Sequence, residues 1–130
     1  MIVEKIRVSK AARDQMITLK RRTGVESWFL LCRWGFCLSL AEPTPPRDID
    51  ITTDSSVEMT WRTFAGENDE VLPALLRQRC EEQEIATDPA TLAHYFRLHL
   101  HRGIAYLAGD PSLKNIEDML RLIDRARPGG

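Results

Sequence analysis

The chain lacks most of the signatures that announce an enzyme or a secreted scaffold. Its three cysteines (Cys32, Cys37 and Cys80) are odd in number and form no CxxC pair, which argues against a disulfide framework or a zinc knuckle. No GxGxxG or GxxxxGK(S/T) loop is present to cradle a nucleotide, and no GxSxG turn presents a serine nucleophile. No apolar run reaches the roughly 18 residues expected of a membrane-spanning helix. The first residues, MIVEKIRVSK, mix charge with apolar side chains where a signal peptide would have a hydrophobic core, so a cytoplasmic protein is expected. Internal repeats and low-complexity tracts are absent too. A chain of 130 residues, 43% hydrophobic and 28% charged, is of ordinary composition and is expected to form one soluble domain.

What the chain does have is an uneven charge distribution hidden by a net charge of −1. Residues 1–41 carry eight Lys and Arg against three Asp and Glu, whereas residues 42–90 carry four against twelve. A basic N-terminal third is where an electrostatic footprint for nucleic acid would lie.

Residues 2–9 alternate, with Ile2, Ile6 and Val8 on one face and Lys5 and Arg7 on the other, the pattern of a half-buried strand with basic residues outward. Ser9 stands where a helix N-cap belongs, and a helix is predicted from Lys10 to about Thr23, closed by Gly24. At about 100° per residue, Ala12, Met16, Leu19 and Thr23 share one face of it, while Lys10, Arg13, Lys20 and Arg21 share the opposite one. A second helix should start near Ser27 and stop before Pro43. From Trp28 to Leu40 it holds one charge, Arg33, and four aromatics, Trp28, Phe29, Trp34 and Phe36. Apolar on every side, such a helix must be buried all round, and so short a chain has little room to do that alone. These four aromatics are therefore expected to build the core and an oligomer interface.

Strand, helix, glycine turn and helix follow in the order of a ribbon-helix-helix unit, whose strand needs a partner strand to join. Residues 43–56 read as a linker or surface loop, and VEMTWRTF (57–64) as a short strand or the lead-in to a helix. Helices are expected from Gly66 to about Glu84, after the Asp88-Pro89 cap, and after Gly109-Asp110-Pro111. The last of them presents Leu113, Ile116, Met119, Leu120 and Ile123, ahead of a frayed tail at 127–130. The fold class is thus mostly α in a single compact domain, with a ribbon-helix-helix-like N-terminus (1–42) and a helical C-terminal part (57–126).

His94, His99 and His101 look metal-like in sequence, but on a helix the first two lie about 140° apart and the last two about 160° apart. A structural or interfacial role is preferred over a metal site, with a phosphate contact by His101 or Arg102 as the other option. The carboxylates Glu67, Asp69, Glu70 and Glu81, Glu82, Glu84 read as solvated first and last turns of one helix, not as a divalent-ion site. Lys5, Arg7, Lys10, Arg13, Lys20, Arg21 and Arg22 carry a different weight. Seven cations on one strand face and one helix face, multiplied by an oligomer, could neutralise several phosphates at once. No Asn or Gln stands among them on the strand to read bases, so binding is expected to follow backbone and shape.

The motifs IRVSKAARDQMITLKRRTG, LCRWGFCLSLAEP, VEMTWRTFAGE, LLRQRC and FRLHLHRGIAYLAG, within residues 5–109, resemble the DndE family of bacterial DNA phosphorothioation systems. The resemblance implies a mostly helical homotetramer that binds DNA, with a preference for nicked duplex. It also implies a role beside the sulfurtransferase-like DndC and the ATPase-like DndD, with no cofactor or metal of its own. The reading is then a non-catalytic DNA-binding subunit. A metal-dependent nickase and a protein–protein adaptor, in which the basic third docks on an acidic partner, are the alternatives.

Overall fold

The alternation at the N-terminus becomes strand β1 (Lys5–Arg7), with Ile6 and the following Val8 buried and Lys5 and Arg7 exposed. Its ladder is supplied from within the chain. Strand β2 (Glu58–Thr60) pairs with it antiparallel in the register Lys5↔Thr60, Ile6↔Met59, Arg7↔Glu58. The pairing extends at both ends: Trp61 N–H donates to Glu4 O at 3.0 Å, and Val8 N–H to Val57 O at 3.3 Å. The expectation that β1 needs an outside strand is therefore corrected. The segment 42–57 brings the chain back to β1, and Ser55 fastens it there by donating from its backbone N–H and its hydroxyl to Val8 O. Both readings of residues 57–64 hold in succession, because Thr60 ends β2 and caps helix α3 (Trp61–Ala65) by accepting from Thr63 N–H.

The computed structural model describes residues 1–126, with side chains inside the final helix described as far as Arg121; the tail expected at 127–130 lies outside the described residues. Helix α1 (Lys10–Thr23) has the predicted bounds. Ser9 Oγ accepts from Ala12 N–H, and Gly24 ends the helix at φ 75°, a left-handed conformation that glycine adopts without strain. Its buried residues are Ala12, Met16, Leu19 and Thr23, the face that periodicity selects. Helix α2 (Trp28–Ala41) follows after a short turn. After α3, residues Gly66–Asn68 form one 3-10 turn, and α4 (Val71–Glu82) begins later than the pattern predicts. Pro73 explains the delay: inside a helix its ring would clash with the carbonyl of Asp69, so the helix can begin only just before it. Glu67, Asp69 and Glu70 consequently precede α4 instead of forming its first turn. Helix α5 (Pro89–Gly109) opens on Asp88, which accepts from Thr91 N–H, with Pro89 in the first turn, and α6 (Ile116–Ala126) closes the described chain.

Helices α2 and α5 form the largest contact in the fold, and glycines permit it. A Cβ on Gly103 would lie 1.7 Å from Gly35 O, so the two backbones touch directly. Around this crossing Phe36, Phe64, Phe96 and Trp61 interlock, with ring centroids 5.0–5.8 Å apart. Edge-on and tilted contacts of this kind add to the area that the rings bury. Of the four aromatics singled out in α2, Phe36 is fully buried, whereas Trp28, Phe29 and Trp34 remain partly exposed. The helix is thus buried along one face by its own chain, not all round. Cys32 and Cys80 are buried, and burial pushes the Cys32 thiol up to about 12, so it is inert at neutral pH. No helix among the described residues is long and apolar enough to cross a membrane.

Candidate nucleic-acid interface

β1 and α1 carry seven cations in different states of engagement. On β1, Lys5 and Arg7 both reach Glu58 across the ladder, with Nζ 3.8 Å from Oε1 and Nη2 2.6 Å from Oε2. Register causes this, since Glu58 sits directly opposite Arg7. The strand pair is therefore half neutralised by a neighbour that the alternation of residues 2–9 does not reveal.

Helix α1 carries five cations (Lys10, Arg13, Lys20, Arg21, Arg22) and one carboxylate, Asp14. Asp14 lies 3.4 Å from Arg13. Lys10 donates its backbone N–H to Asp54 Oδ1 at 2.9 Å, a bond that leads in holding the Asp54 carboxyl below its ordinary range. Lys20 Nζ stands 3.5 Å from the centroid of the Trp28 ring, and Arg22 donates to Ala108 O at 2.9 Å. Neither contact cancels charge. Arg21 is exposed, and no ion pair fixes it among the described residues. The uncompensated positive charge is therefore greatest at the last turn of α1, where a helix's own dipole also favours cations. Lys20, Arg21 and Arg22 therefore suit the end of α1 on which they stand.

Several arginines do structural work instead. Helix α2 ends at Glu42-Pro43 with no basic residue in its last turn, so its final carbonyls take donors from elsewhere. Arg102 donates to Ser39 O at 2.8 Å and to Thr44 O at 2.6 Å, and Arg79 donates to Leu40 O at 2.9 Å. Arg33, the lone charge of α2, donates to Phe64 O at 2.7 Å at the end of α3. Sequence alone offers Arg102 as a phosphate contact; its guanidinium is committed to α2. The one signal that could have found these partners is the absence of any basic cap at the Pro43 end of α2.

The three histidines occupy three separate settings. His94 Nε2 meets Asp48 Oδ1 at 2.7 Å on the surface. His101 Nε2 accepts from Ser9 N–H at 3.1 Å, and its Nδ1 donates to Arg97 O at 2.8 Å, so one neutral tautomer satisfies both bonds and anchors the start of α1. Burial lowers its pKa. His99 is fully buried between α2 and α5. Arg102 Nε donates to Ser39 Oγ at 2.8 Å, which turns the hydroxyl hydrogen toward His99 Nδ1, also 2.8 Å away. Burial, reinforced by Arg102 and Arg79, pushes the His99 pKa down from 6.5 to about 4. Among the described residues, no group of three His, Cys, Asp or Glu is placed to hold a metal ion.

The depressed His99 pKa has a measurable consequence. Between pH 6.5 and 4 the unfolded chain binds a proton that the folded chain refuses, so this contribution to stability is complete above pH 6.5 and lost as pH falls. Urea unfolding at pH 7.5 and pH 5 should differ by about 2 kcal/mol from this residue, and His99→Gln should shrink the difference. An acid sensitivity equal in both proteins would place its origin elsewhere.

Comparison with known proteins gives this architecture a context. The family model described as DNA sulphur modification protein DndE matches residues 5–115. The fold is similar to the crystal structure of a DndE glycine-to-lysine mutant involved in DNA phosphorothioation, with a TM-score of 0.63 and 17% sequence identity, covering 82% of this chain and 100% of that one. No curated protein matches the chain. The family match takes in β1 through α5, including the basic face of α1, the glycine crossing of α2 and α5 and the β1–β2 pair, and leaves out α6. This chain belongs to the DndE family of DNA sulphur modification proteins.

Proposed function

We propose that this chain is a non-catalytic subunit that binds the backbone of duplex DNA, preferring a nicked duplex, for a phosphorothioation system. One observation carries the reading: α1 holds five cations against one carboxylate, with Lys10 and Arg21 exposed away from its buried face, and the Lys20-Arg21-Arg22 end keeps its charge. Side chains of this kind, with no Asn or Gln beside them on β1, recognise phosphates and release counterions without reading sequence. Lys10, Arg13, Lys20, Arg21 and Arg22 supply the main contacts, and Lys5 and Arg7 contribute less because Glu58 shares them.

The chain works as a homo-oligomer, a tetramer, beside DndC and DndD, which carry the sulfur-transfer and ATP-dependent steps. Support for self-association comes from the outer side of α2, where Leu30, Trp34, Cys37 and Leu38 are only partly buried by the chain's own fold. Joining copies there would multiply the basic face.

A salt titration of binding to intact and nicked duplexes of one sequence, with mass measured in parallel, tests the proposal. A multimer that binds the nick more tightly, with log affinity falling steeply against log salt, is the expected result. Failure to bind either duplex at low salt, with binding to a partner protein retained, would replace this reading with the adaptor.

A further inference from the structure

Helix α4 keeps a solvent face that the rest of the chain does not cover. Leu72, Leu76 and Cys80 are buried where the helix packs on α2 and α5. On its outer side stand Val71, 54% exposed, and Leu75, 41% exposed, one helical turn apart, with the exposed Ala74 beside them. Exposed carboxylates frame this apolar stretch, Glu70 immediately before it and Glu81 and Glu82 towards the other end of the helix. Glu82 is shared with Arg79 at 2.9 Å, whereas Glu70 and Glu81 enter no ion pair among the described residues. Arg79 is half-buried and donates to Leu40 O, which leaves Arg77 as the exposed cation of the helix. The complement of this face stands on α1. There Ile17 is 40% exposed, and its neighbours one turn away are Arg13, Lys20 and Arg21, with Asp14 as the opposing charge. Both faces open to solvent, so they do not meet within one chain.

We propose that, without DNA, the α4 face of one copy receives the α1 face of a second copy, Ile17 against Val71 and Leu75, with Arg13 and Arg21 opposite Glu70 and Glu81. Two different patches join, so the contact is head-to-tail and separate from any association through the outer side of α2. The apolar area is small and exposed ion pairs each contribute little, so the contact is weak and sensitive to salt. Weakness suits its consequence. Duplex DNA and α4 draw on the same cations, so each displaces the other from α1. That competition rests on the backbone-binding reading above; the docking of copies does not.

Sedimentation of the full chain at low salt, with and without duplex, tests both parts. Glu70→Lys with Glu81→Lys gives a copy with two basic faces, and Arg13→Glu with Arg21→Glu gives a copy with two acidic ones. Each alone should lose a concentration-dependent association step that the parent shows. An equimolar mixture should regain it, because each variant supplies the face that the other lacks. Val71→Gln with Leu75→Gln removes the apolar centre at unchanged charge and should lose the step too, which decides the matter if a charge-reversed variant does not fold. No such step in the parent, or its retention in all three variants, would overturn the docking of copies. Failure of the mixture to regain it would do the same and leave the α4 face to a basic partner of another kind. Added duplex should disperse the parent's assemblies. At a concentration where most α1 faces are docked, the Val71 and Leu75 variant should bind duplex about 3-fold or more tighter than the parent. Assemblies that persist with duplex bound would overturn the competition alone. A parent that binds no duplex would defeat the backbone-binding reading, while sedimentation would still report the docking.

Discussion

Gly103→Ala is expected to destabilise the protein by about 3 kcal/mol or more, enough to remove much of the stability of a domain this size. Ordinary overpacking of a core costs about 1–3 kcal/mol because side chains can shift rotamers. Here the new Cβ would meet backbone, 1.7 Å from Gly35 O, and only separation of α2 from α5 could relieve it. That separation would also loosen Phe36 against Phe96 and the Ser39–His99 bond, which span the same two helices. Gly35→Ala should cost less, since its Cβ would approach Ile104 N at 2.9 Å and Gly103 C at 3.0 Å. Gly109→Ala is the matched control in the same helix. Nothing lies within 4 Å of its added methyl, and the gain in helix propensity should leave the protein unchanged or slightly more stable. Thermal unfolding followed by circular dichroism reads all three. Equal melting temperatures for Gly103→Ala and Gly109→Ala would refute the direct backbone contact.

The double reversal Lys20→Glu with Arg21→Glu should weaken duplex binding by at least about 10-fold at low salt and flatten its salt dependence. Every phosphate that the protein no longer neutralises takes about 0.9 from the slope of log affinity against log salt, whatever the DNA sequence. The same reversal at Lys5 and Arg7 should do less, because Glu58 already engages both. A modest fall in melting temperature is expected beside the weaker binding, since cations suit the last turn of α1 and Lys20 covers Trp28. Arg21→Glu alone separates the effects, as Arg21 is exposed and makes no ion pair among the described residues. Affinity and slope that survive Arg21→Glu would remove the end of α1 from the interface.

These two experiments probe opposite kinds of information. The basic face of α1 was legible because a helix converts spacing directly into direction. Once Ser9 and Gly24 set its ends and Ala12, Met16, Leu19 and Thr23 its buried side, the outward placement of Lys10 and Arg21 followed. The glycine crossing was not legible. Gly35 and Gly103 look like ordinary interruptions of helical sequence until two distant helices are brought together, and only then does the missing Cβ acquire a reason.

Local chemistry in the sequence determined the element order, the caps at Ser9 and Asp88, the mostly α class and the inward face of α1, because caps and periodicity act within one or two turns. Tertiary structure decided which long-range partner each element would take. It gave β1 a strand from its own chain, set Glu58 against Lys5 and Arg7, spent Arg102 and Arg79 on the bare carbonyls of α2, and buried His99 as a neutral base. Most buried backbone and polar groups take a partner, but that tendency does not name the partner. Distance in space names it, and spacing along the chain does not encode that distance.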